Sequence, residues 1–155
     1  MESKHIKYNN LTMVLYTMVD VLKHCGRMDM VRMTILIALL QDDAIVDLLQ
    51  EQGETLNFVN FRVLNKKMMA SINKRFYHTL PLMVNATAIL MDAGFITIMD
   101  GELIVAEGSD GDSFVEIGSI GSNSAQRIDS VMLRMLNICE EVTTKRMIKT
   151  LNIEL

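Results

Sequence analysis

The chain has 155 residues, of which 50% are hydrophobic and 22% are charged, with a net charge of −4. The longest nearly unbroken apolar run, Met33 to Leu40, is too short to cross a membrane, because a spanning helix needs roughly 20 residues. Two isolated cysteines support neither a disulfide scaffold nor a CxxC metal site. The first ten residues hold no apolar stretch of the secretory kind. We therefore expect one cytoplasmic domain, residues 1–155, without membrane association.

The apolar content is unusual in kind, since the chain has 14 methionines and no tryptophan. Methionine side chains are flexible and fill irregular gaps in a core, and they can also repack against a partner. We expect most of them in the core. The remainder would lie at an interface, either with another protein or with a second copy of the chain in a homodimer.

The N-terminal half predicts three helices. The first starts after the asparagines at 9–10, which are good capping residues, and stops at Gly26. Asp29 can cap the second, MVRMTILIALL, which is apolar on nearly all sides and is therefore expected at the centre of the core. A short third helix starts at residues 42–43 and ends at Gly53.

Two further helices are predicted before the hairpin. An amphipathic fourth helix covers roughly residues 58–77 and carries basic residues on its polar face. Pro81 would start a fifth, mainly buried helix that ends at Gly94, because proline at the first helical position costs no hydrogen bond. Asn85 is a polar amide within this apolar segment, and we expect it to be buried and to tie the helix to a neighbour.

The strongest β signal follows directly. FITIM and ELIVAE are joined by Asp100–Gly101, a dipeptide favoured in two-residue hairpin turns. This order predicts a mainly α, winged helix-turn-helix-like domain whose wing is the hairpin. Residues 1–107 would form the helical core and wing, 108–123 a loop and 124–155 one long C-terminal helix. A plain helical bundle with an added hairpin is the alternative.

The charges are segregated along the chain. Residues 42–54 and 92–116 contain acids and no lysine or arginine, whereas residues 56–91 contain bases and no acid. The wing is therefore acidic, which disfavours the phosphate contacts of a DNA-reading winged helix. The basic block is either a solvated helix face or a contact for DNA or an acidic protein. Its candidate contact residues are Arg62, Lys66, Lys67, Lys74 and Arg75.

The chain contains no recognisable catalytic or metal-binding motif. Its three histidines lie in separate elements without the spacing of metal ligands. DGDS at 110–113 lacks the alternating oxygen ligands and final glutamate of a calcium loop. The glycine-rich GSIGSN is not followed by the lysine of a phosphate-binding loop. We therefore expect no enzyme activity, no metal and no cofactor.

Residues 73–105 resemble the middle component of bacterial three-component ABC-ATPase conflict systems. That family has a sequence motif similar to N-x-R-F-x-x-L-x-P-L-x-x-N-A, which is followed by a helix and a hairpin with a D-G turn. Its counterparts here are Asn73, Arg75, Phe76, Leu80, Pro81, Leu82, Asn85 and Ala86. The terminal LNIEL is also similar to the short hydrophobic ending of that family, although glycine is more usual there at the position of Asn152. LLQDDAIVDLL departs from the family, which has a proline-rich element with lysine or arginine at that point.

The resemblance implies a non-catalytic adaptor between an SMC/Rad50-like ABC ATPase and an effector, often a nuclease, in antiviral or anti-plasmid defence. Such middle components are thought to resemble the winged-helix subunits of SMC complexes. Contact with DNA would then be indirect. The alternative function is a winged-helix DNA-binding transcriptional regulator.

Overall fold

The computed structural model describes residues 11–52, 57–60, 70–109 and 122–155, without the side chains of 52 and 122–130. Residues 58–60 form one helical turn. The longer elements are, in chain order, α1 (Leu11–Cys25), β1 (Arg27–Asp29), α2 (Met30–Leu40), α3 (Asp43–Gln52), α4 (Ile72–Asp92), β2 (Ile96–Met99), β3 (Glu102–Val105), α5 (Ser122–Glu140) and α6 (Thr144–Leu151). The predicted mainly α fold with a β-hairpin is confirmed.

The end of the first helix and the start of the second are set by the residues that the sequence indicated, whereas the asparagines at 9–10 lie outside the described residues. Gly26 adopts a φ of +74° and its N–H donates to the Leu22 carbonyl at 2.7 Å, which ends α1. The Asp29 carboxylate accepts from the Arg32 N–H at 2.8 Å and so caps α2. Residues 33–39 are buried without interruption, and α2 contacts each of the other longer helices in the described part of the chain. The prediction of a central core helix is confirmed.

A short strand between α1 and α2 was not predicted. This strand, β1, pairs antiparallel with β3, with Met28 opposite Leu103, and the sheet order is β1-β3-β2. Three residues are too few to show an alternating pattern, and Met28 supplies the one buried side chain. The pairing fixes the hairpin to the α1–α2 junction, so the predicted wing is part of the core sheet.

The hairpin turn has the predicted geometry. Asp100 and Gly101 have φ values of +53° and +79°, and they connect the paired residues Met99 and Glu102. Positive φ at both central residues is what a type I′ turn requires.

One helix, α4, replaces the predicted break between residue 77 and Pro81. Pro81 lies inside α4 on its exposed side, where it removes the N–H that would donate to the Tyr77 carbonyl. The buried face continues through this point without a phase change, since Phe76, Thr79 and Met83 are all buried. This packing holds the helix together across a residue that would interrupt it in isolation. The earlier part of the predicted fourth helix includes 61–69, outside the described residues.

The prediction of a single C-terminal helix was also wrong, because residues 141–143 interrupt the helix between α5 and α6. Thr143 is extended, and its hydroxyl oxygen accepts from the Arg146 N–H at 3.2 Å, so it caps a new helix. The apolar stripe continues across the break, with Val142 and Met147 both buried. Helical periodicity alone therefore did not reveal it.

Two arginines connect the ends of helices to their neighbours. Arg32 of α2 donates to the carbonyl of Cys139 in the last turn of α5 and to that of Val142 in the connection that follows. Arg134 of α5 donates to the carbonyls of Leu49 and Gln50 in α3, both at 2.7 Å. A cation at a helix C-terminus satisfies carbonyls that lack a helical partner and complements the helix dipole. The C-terminal helices are thus fixed to the core by polar contacts as well as by packing.

Most of the described methionines lie in the core, as expected. The buried ones are Met18, Met28, Met33, Met83, Met132, Met135 and Met147. Met91 and Met99 are exposed, and both lie in the helix–hairpin unit considered below. None of the described helices is long and apolar enough to cross a membrane.

Candidate protein-docking face

The exposed side of α4 carries a regular apolar stripe. The buried side is formed by Ile72, Phe76, Thr79, Met83, Ala86 and Leu90. The exposed stripe consists of Lys74, Tyr77, Pro81, Val84, Ala88 and Met91, which we call the outer stripe. Its members are separated alternately by three and four residues, which is the spacing of a helix–helix seam. Val84 is 58% exposed, so the helix presents apolar surface to solvent as well as to the core.

The hairpin adds a second exposed apolar patch. Strand β2 lies at the edge of the described sheet, and its Ile98 and Met99 are 44% and 58% exposed. Asp100 follows directly in the turn. An edge strand with exposed apolar side chains is a surface on which another protein can pair or pack. We call Ile98, Met99 and Asp100 the wing patch.

One wing acid is neutralised within the chain. Arg27 of β1 forms an ion pair with Glu102 of β3, and its Nε donates to the Glu102 carboxylate at 2.6 Å. Asp100 and Glu107 are exposed. The wing therefore carries more acid than base, as predicted, although the unpredicted strand brings one arginine to it.

Only two of the five basic candidate contact residues lie in the described part of the chain, and their side chains point in different directions. Arg62, Lys66 and Lys67 lie outside the described residues. Lys74 is exposed at the start of α4. The side chain of Arg75 is only 12% exposed, and it donates to the Asp42 carboxylate at 2.7 Å. In the described part of this block, Lys74 is thus directed to solvent and Arg75 to the interior.

The residues of the family-like motif fall into two groups. Phe76 is fully buried, and the Asn73 side chain accepts from the Glu154 N–H at 3.1 Å, which joins α4 to the C-terminal LNIEL. Pro81 and Asn85 are exposed. The expectation that Asn85 is a buried amide was wrong, because it lies beside the outer stripe rather than on the buried face.

Asn152 has a structural role at the end of the last helix. It ends α6 in the left-handed conformation, with φ +53° and ψ +45°. The Ile153 N–H then donates to the Ile148 carbonyl at 3.0 Å, which closes the helix end. Asparagine tolerates this conformation better than other non-glycine residues do.

A cleft of about 610 Å³ lies between β1 and the α5–α6 junction. Four of its charged side chains make contacts within the fold. Arg27 pairs with Glu102, Arg32 binds carbonyls of the α5 end, and Asp29 accepts from the Thr144 hydroxyl. The cleft is therefore a junction of structural contacts. Within the described residues, no cluster of three or more histidine, cysteine or acidic side chains could hold a metal ion.

The two cysteines should differ strongly in reactivity. Burial raises the pKa of the Cys139 thiol to about 12 and also raises that of the exposed Cys25. We expect a maleimide at pH 8 to modify Cys25 in the folded protein and Cys139 only after unfolding, because the thiolate is the reactive form. Mass spectrometry of the labelled protein, with and without denaturant, tests this. Equal labelling rates without denaturant would contradict it.

Comparison of the chain with protein-family models, with curated proteins and with solved structures gives no match.

Proposed function

We propose that the chain is a non-catalytic cytoplasmic adaptor, the middle component that links an SMC/Rad50-like ABC ATPase to an effector in defence against phages or plasmids. The observation that supports protein docking is the wing patch, where Ile98 and Met99 are exposed next to Asp100. A DNA-binding wing needs lysine or arginine side chains, because their contacts with phosphates provide most of the affinity for DNA. The ATPase as partner comes from the resemblance of residues 73–105.

The α4 surface supports the same choice over DNA reading. From residue 76 to residue 107 the sequence contains no lysine or arginine, and the exposed side of α4 is mainly apolar beyond Lys74. A helix of this composition suits contact with another protein, since exposed apolar patches mark interaction sites. DNA would be reached through the ATPase.

Co-expression with the ABC ATPase encoded in the adjacent gene tests the proposal. We expect the tagged chain to copurify with that ATPase and to hydrolyse no ATP alone. The double substitution Ile98→Glu, Met99→Glu should reduce copurification about tenfold or more, because charges would be placed in an apolar contact. Leu133→Glu, at an exposed position of α5, is the matched control and should bind normally.

Two results would contradict the proposal. One is the absence of any ABC ATPase, both in the neighbouring genes and in the pull-down. The other is salt-dependent binding to duplex DNA that Lys74→Glu abolishes, which would support the DNA-binding regulator instead.

A further inference from the structure

The two ends of the outer stripe of α4 carry opposite charges, and this distribution indicates what covers the stripe. Lys74 occupies its first position, and Asp92 is adjacent to Met91 at its last. Between them lie Tyr77, Pro81, Val84 and Ala88, with no other charged residue on this side of the helix. One end of the stripe is therefore cationic and the other anionic, about 26 Å apart at 1.5 Å per residue.

We propose that the outer stripe is the interface of an antiparallel homodimer in which α4 of one copy packs against α4 of the second. In this arrangement Lys74 lies level with Met91, Tyr77 with Ala88 and Pro81 with Val84. The twofold axis repeats each of these layers. Every member of the stripe then has a partner, and the seam needs no residue from outside it.

The charges select the antiparallel orientation. Two antiparallel helices bring Lys74 of each copy next to Asp92 of the other, which gives two complementary pairs. A parallel pair would place lysine beside lysine and aspartate beside aspartate, and both contacts would be repulsive. Asn85 flanks the centre of the seam, where its exposed amide can help to fix the register.

The outer stripe and the wing patch share no residue, so this inference goes beyond the adaptor function and does not depend on it. A dimer would place two wing patches on one particle. The adaptor could then engage two ATPase chains at once, which raises the effective affinity without new contacts.

Sedimentation velocity on the purified chain, without any ATPase, tests the proposal. We expect a dimer at micromolar concentration and a folded monomer for Val84→Glu, because the exposed position allows the helix to form while the charge prevents the seam. Leu133→Glu is the matched control and should remain dimeric. Circular dichroism of both variants checks that they are folded.

A charge exchange tests the orientation. Lys74→Glu alone and Asp92→Lys alone should each weaken dimerisation about tenfold, because two pairs become repulsive. The double variant should recover the wild-type affinity. In a parallel dimer, each single variant would instead keep like charges opposite each other, and the double variant would restore nothing.

Disulfide trapping tests the register. In a Cys25→Ser background, which removes the exposed native thiol, chains with Tyr77→Cys are mixed with chains that carry Ala88→Cys. We expect disulfides between the two kinds of chain and few within either kind. A monomer at all concentrations, a dimer unaffected by Val84→Glu, or disulfides only between like chains would each overturn the proposal. A monomer in which Val84→Glu abolishes ATPase copurification would assign the stripe to the ATPase partner.

Discussion

Replacing Phe76 with alanine should lower the free energy of unfolding by about 3–5 kcal/mol, because it removes a large core side chain and leaves a cavity. Phe76 is fully buried, on the face of α4 that lies against the core. Its loss would affect several elements at once, since α4 contacts both α1 and α2. A helix already interrupted in its hydrogen bonding by Pro81 depends strongly on this packing.

Urea unfolding followed by circular dichroism measures this effect, at one protein concentration for all variants. Leu133→Ala, at an exposed position of α5, is the control and should change the unfolding free energy by no more than about 0.5 kcal/mol. Phe76→Leu should recover a large part of the loss. A cost below about 1 kcal/mol for Phe76→Ala would contradict its assignment to the core.

The features that were predicted correctly are specified by a few neighbouring residues. Gly26 ends α1, Asp29 caps α2, and Asp100 and Gly101 form the hairpin turn. In each case the side chain, or its absence, acts on backbone within about four positions. Such interactions can be read from the sequence without knowledge of the fold.

The features that were missed depend on residues distant in sequence. β1 is a strand because Arg27–Asp29 pairs with β3, which lies about 75 residues later in the sequence. At the break before α6, Arg32 binds the carbonyls of Cys139 and Val142, which are more than 100 residues away in the sequence. Continuity of α4 through Pro81 depends on the core beneath Phe76 and Met83. Local propensity could not determine any of these outcomes.

The candidate site was only half predictable for the same reason. The acidic hairpin followed from composition, and its exposed Ile98 and Met99 lie on a strand that was predicted correctly. The outer stripe was obscured by the break assumed before Pro81, since two of its members precede that break and four follow it. Once α4 is one helix, the spacing from Lys74 to Met91 is visible in the sequence alone, and Asn85 falls beside it. The mistaken helix boundary thus concealed this surface stripe.

Arg75 was a candidate for contact with a partner, and a substitution distinguishes that role from a structural one. Its guanidinium donates to Asp42, whose other oxygen accepts from the Ala44 N–H at 2.9 Å at the start of α3. The pair therefore joins α4 to α3. Arg75→Met should lower the free energy of unfolding by about 2 kcal/mol, less than for a fully buried pair, because both side chains retain some exposure.

Lys145→Gln, at an exposed position of α6 outside the proposed seam, is the control and should cost no more than about 0.5 kcal/mol. A double-mutant cycle of Arg75→Met with Asp42→Asn isolates the coupling between the two side chains. We expect that coupling to change little with salt, since partly buried pairs are weakly screened. If Arg75→Met instead left stability unchanged and reduced partner binding, Arg75 would be a contact residue and the ion pair a minor contribution to the fold.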